Sequence, residues 1–199
     1  AVAWLLPRPT GSARAVRERP IAWTRPLVAL MLSYGLFGIG YVVTATFLVA
    51  IAREGAGSPL LECLTWFVTG VAAAVSLLVW KPLEWRHGVA AAYLLAILVE
   101  MAGVVATVTL PFPSSALIGG ALLGLTFVVI TAYGLQLGRV LASESPRRAL
   151  ALMTAAFGVG QILGPLGAGF LAARTGSYAL PSLAAAGVLL LAAAITALG

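Results

Sequence analysis

Six runs of about 20 or more predominantly apolar residues constrain this chain more than any other feature of its sequence. They cover residues 27–52, 60–80, 89–110, 115–138, 148–173 and 178–198. At a rise of about 1.5 Å per residue, a helix of that length crosses a hydrocarbon core of about 30 Å. The breaks at 53–59, 81–88, 111–114, 139–147 and 174–177 carry the charge, glycine and proline that loops require. Only 9% of the residues are charged, against about 25% in an ordinary soluble domain, too few to coat a surface that faces water. Long apolar runs in place of amphipathic stripes indicate lipid as the solvent. The expected class is an all-α membrane protein with six transmembrane helices.

The basic residues set the orientation, because cytoplasmic loops retain the excess of Lys and Arg. One side of the six crossings holds Arg8, Arg14, Arg17, Arg19, Arg25, Lys81, Arg86, Arg139, Arg147 and Arg148; the other holds only Arg53 and Arg174. Both ends are therefore expected on the cytoplasmic side of a cell membrane. A net charge of +6 would raise nucleic acid as a partner of a soluble protein. Here the charges lie in short segments between spans, where lipid headgroups and orientation account for them, so nucleic acid is not expected. Cys63 is alone and His87 is the single histidine. That supply of ligands gives no expectation of a metal site or other cofactor.

Ala1 to Leu6 is an apolar stub that stops at Pro7. It is too short for a signal-peptide core and reads as the tail of a preceding helix, which makes the chain one part of a longer protein. The expected division is residues 1–26, the end of that helix plus a basic linker, followed by a six-helix unit at 27–199. A weak internal symmetry runs through the unit. A shift of 86 positions sets Leu36, Gly38, Val42, Val43 and Arg53 on Leu122, Gly124, Val128, Val129 and Arg139. It also sets Tyr41 on Phe127 and Phe47 on Tyr133. The two spans cross in opposite directions, as a 3+3 inverted repeat requires.

The most informative stretch lies in the fifth span, where Gly160 and Gly164 form a small-residue face that lets a neighbouring backbone approach. Pro165 cannot donate to the carbonyl of Gln161, so the helix bends there. Packing with a hinge is the first reading, and contact of Gln161 with substrate is a further one. Gly160-xxx-Gly164-Pro165 followed by Gly169 resembles the GxxxGPxxGG element of the major facilitator superfamily, with Ala168 replacing the first glycine of the closing pair. With residues 34–48 and 123–131, the stretch is similar to the C-terminal half of a YbfB/YjiJ-type transporter. The resemblance implies half of a major facilitator fold, with an N-terminal six-helix half of the same transporter as partner. It further implies secondary active transport of a small organic solute by alternating access, coupled to protons. The segment Trp80 to His87 is a degenerate form of the superfamily's basic and acidic loop motif, so no gating role is carried onto it.

Polar residues inside the spans supply the candidate site. Tyr34, Tyr41 and Thr44 fall near one face of the first span, and Thr126, Tyr133 and Gln136 repeat that spacing in the fourth. The resemblance makes both helices cavity-lining, which points these residues and Gln161 at substrate. Hydrogen bonding between helices is the competing reading. Glu100 is the acid nearest the middle of any span, where an ionised carboxylate is costly and is paired, neutral or functional. It is one coupling candidate, with a structural, hydrogen-bonded Glu as its alternative; Glu62, near an outer helix end, is the other. Trp66, Trp80 and Trp85 near span ends are expected to form an interfacial belt. Two rival functions remain. A self-assembling six-helix channel or signalling scaffold needs neither the repeat nor the hinge. An intramembrane serine hydrolase needs a base beside its nucleophile, and the sole histidine lies in a loop, so no enzyme is expected.

Overall fold

The computed structural model describes residues 18–54 and 59–199; the expected stub and most of the basic linker lie outside them. Five α-helices account for nearly all of the described residues, and no strand occurs among them. They are α1 (Arg25–Glu54), α2 (Pro59–Thr109), α3 (Ser114–Leu141), α4 (Pro146–Thr175) and α5 (Ala179–Leu198). Each is long and apolar enough to cross a membrane.

At about 1.5 Å per residue, the 51 residues of α2 would extend about 77 Å, more than twice a hydrocarbon core. The chain turns instead at Gly88, whose φ of 84° and ψ of 167° are cheap only for glycine. This divides α2 into arms at 59–87 and 89–109. The 81–88 segment, expected as a loop, is therefore helical up to His87 despite Pro82 inside it. Two bonds hold it. Lys81 Nζ pairs with Glu84 at 2.9 Å, and the Trp80 indole donates to the Leu125 carbonyl of α3 at 3.0 Å. Trp80 consequently points inward, whereas Trp66 and Trp85 are exposed as an interfacial position would have them.

Helix α1 is the hub, packed against α4, α5 and α3, while α2 lies along α3. Small residues make the close approaches possible. A Cβ at Gly160 would overlap the Gly35 carbonyl oxygen, and one at Gly164 would sit 2.8 Å from Val42 Cγ1 and 2.9 Å from the Ile39 carbonyl oxygen. With no hydrophobic force between helices in lipid, such contact is a main source of association. The interior carries Phe37, Tyr93, Ile97, Ile130, Met153 and Leu189. Large apolar side chains such as Phe67, Leu78 and Leu166 are exposed on the outside as well. Helices apolar on every side fit a lipid surround.

The residues before α1 are tied to the start of α4. Glu18 accepts hydrogen bonds from the backbone N–H of Arg147 at 3.0 Å and Arg148 at 3.2 Å, and Arg19 pairs with Glu144 at 3.1 Å. A carboxylate at a helix N-terminus satisfies otherwise unpaired donors and complements the helix dipole. At the other end of α4, Gly176 takes a left-handed φ of 64° and donates to the Ala172 carbonyl at 2.9 Å.

Candidate functional site

Around the middle of α1 the chain gathers five aromatic rings from three helices: Tyr34, Phe37 and Tyr41 of α1, Phe127 of α3 and Phe157 of α4. Tyr41 stacks on Phe127 with centroids 4.2 Å apart and planes 16° from parallel. Phe157 lies 5.4 Å from Tyr34, 5.6 Å from Phe37 and 6.2 Å from Tyr41. Close backbone approach of α1 and α4 brings these rings together, since a Cβ at Gly38 would sit 2.6 Å from the Phe157 carbonyl oxygen. Tyr34 and Phe37 are buried, while Tyr41, Phe127 and Phe157 keep part of their surface open.

Behind the rings lies Glu100, on the second arm of α2 and 1% exposed. Its Oε2 pairs with the Thr126 hydroxyl of α3, which also bonds the Leu122 carbonyl one turn back at 2.7 Å. Its Oε1 is buried and has no partner. The Tyr41 hydroxyl lies within the electrostatic field of this carboxylate. The described ion pairs fall near helix ends or beside the Gly88 turn, and none reaches Glu100. A buried carboxylate with an idle oxygen and no cation is a group from which function is expected.

The other candidates scatter. Thr44 is buried and donates to the Gly40 carbonyl of its own helix at 3.1 Å. Tyr133 is buried and donates to Glu84 at 3.0 Å, which joins it to the Lys81 pair near the end of α3. Gln136 is exposed and Gln161 half-buried. Glu62 is engaged by Arg53 through two bonds of 2.9 and 3.1 Å. Pro165 lies within α4, beside the Gly160 and Gly164 contacts with α1. Gly169, expected to pack as they do, faces open space, and no atom lies within 4 Å of where its Cβ would stand.

Sequence reasoning passed over Phe37 and Phe157 as site residues, because apolar rings in an apolar helix carry no local signal. One cue was present: the 86-residue shift had set Tyr41 on Phe127, the pair that stacks. It also passed over a buried polar chain in which Ser33 shares a hydrogen bond with Tyr93 at 3.3 Å and Thr196 bonds Ser33 at 2.8 Å.

A search of curated proteins returned no match. A family model described as "Uncharacterised MFS-type transporter YbfB" matches residues 1–197. That covers nearly the whole chain and agrees with an all-helical structure whose helices are long and apolar enough for a membrane. The chain therefore belongs to the YbfB-type family of the major facilitator superfamily, a family of membrane transporters.

Proposed function

We propose that the chain forms the C-terminal six-helix half of a proton-coupled secondary transporter that moves a small organic solute across the cell membrane by alternating access. The observation that carries the reading is Glu100. A carboxylate kept at mid-span, without a cation and with one oxygen idle, is suited to take up and release a proton. Three features support the architecture. The turn at Gly88 divides α2 into two crossings and brings the total to six, an even number that returns both ends to one side. The ten-to-two excess of basic residues makes that side cytoplasmic. The Tyr41 and Phe127 contact supports the 3+3 repeat, because a residue near a pseudo-twofold axis touches its own counterpart.

In this reading Tyr34, Tyr41, Thr44, Thr126, Tyr133, Gln136 and Gln161 serve the solute pathway. Gly160 and Gly164 with Pro165 form the bending contact between α4 and α1. Glu62 is engaged by Arg53, which leaves Glu100 as the coupling group. The N-terminal six-helix half supplies the opposite wall of the cavity. The test is solute uptake by the complete protein in proteoliposomes, with and without an imposed proton gradient. Glu100→Gln should abolish gradient-driven uptake while exchange of solute at equal pH continues; unchanged driven uptake removes Glu100 from the mechanism. A channel would instead pass solute without saturation and without response to the gradient.

A further inference from the structure

The open edges of Tyr41, Phe127 and Phe157 present one electron-rich surface at mid-depth, contributed by α1, α3 and α4. Ring faces carry negative quadrupole density and attract cations, most strongly where water is absent. Glu100 adds a negative group next to that surface. Its Oε1 has no donor, and no described ion pair supplies a positive partner. Charge attraction weakens slowly with distance in a low-dielectric interior, so the carboxylate is felt at the ring surface although Thr126 and Tyr41 stand between. The stacked pair, planes 16° apart, is shaped to extend its stack onto a further flat ring. We infer that the Tyr41, Phe127 and Phe157 surface, backed by Glu100, binds a planar organic cation, the charge being supplied by the solute where the protein supplies none. The inference deepens the transport reading by naming the class of its solute.

The experiment measures binding, so it does not depend on transport. The complete protein in lipid nanodiscs is titrated with N-methylacridinium and, separately, with the neutral isostere 9-methylanthracene, and signals from empty nanodiscs are subtracted. Saturable binding of the cation is expected, at least about tenfold tighter than that of the neutral compound. Glu100→Gln, close to isosteric, should weaken the cation about tenfold and leave the neutral compound unchanged. Tyr41→Leu should weaken it similarly, whereas Tyr41→Phe, which keeps the ring face, should stay within about twofold of wild type. Equal affinity for the two compounds, absence of saturable cation binding, or indifference to Glu100→Gln and Tyr41→Leu would overturn the assignment. Driven uptake of some other solute by a protein that does not bind the acridinium would sink this inference and spare the transport reading. Binding without any flux would do the reverse.

Discussion

The tightest contact in the fold makes the sharpest prediction. At Gly160 an added methyl would overlap the Gly35 carbonyl oxygen and lie 3.0 Å from the Ile39 nitrogen and 3.2 Å from the Gly38 carbonyl carbon. All three are backbone atoms of α1, which cannot turn aside as a side-chain tip can. Overpacking of this kind costs roughly 1–3 kcal/mol, and a rigid backbone neighbour places Gly160→Ala at the upper end. Alanine returns about 1 kcal/mol of helix propensity, so the net loss is about 2 kcal/mol. For a chain of this size that lowers Tm by roughly 4–8 °C. The same substitution at Gly167 on the same helix meets nothing within 4 Å and should leave Tm unchanged or raise it. Thermal unfolding of both variants in one detergent, followed by circular dichroism, is the assay, because the host helix and the propensity gain are shared. A Gly160→Ala protein as stable as the Gly167→Ala protein would refute close α1 and α4 packing as the source of the cost.

Three further outcomes follow from named contacts. Glu18→Gln weakens the cap on α4, and a loss of about 1 kcal/mol should speed hydrogen exchange of the Arg147 and Arg148 amides about fivefold while mid-helix amides are unaffected. Ser33→Ala strands the buried Tyr93 hydroxyl at a cost of about 1–3 kcal/mol, which Ser33→Ala with Tyr93→Phe should largely recover; additive losses on chemical denaturation would contradict the coupling. Trp80→Phe removes the donor to the Leu125 carbonyl and should cost about 1 kcal/mol, whereas Trp85→Phe, at an exposed site, should cost little by the same measurement.

Much of the class and little of the site could be read in advance. Apolar runs long enough to cross a membrane reappear in every helix, and the breaks fall within a few residues of those expected, because span length is fixed by bilayer thickness. The break at 81–88 shrank to a single turn at Gly88, since Lys81, Glu84 and Trp80 keep the preceding segment helical through contacts that include one made 45 residues away. Gly160 and Gly164 were legible as packing residues because small side chains signal close approach in lipid. Gly169 has the same composition and packs on nothing, for the neighbour that would decide its role is not encoded beside it.

The sequence by itself determined the solvent, the number and length of apolar runs, the charge asymmetry and the resemblance to a transporter family. These are sums and spacings along one dimension. The tertiary structure alone decided that Glu100 meets Thr126, that Tyr41 stacks on Phe127 beside Phe157, that Tyr133 turns to Glu84, and that Glu18 caps α4. The physical reason lies in the solvent. In water, polarity marks the inward face of a helix; in lipid both faces are apolar, so the facing partners are chosen by shape and by a few hydrogen bonds between distant residues.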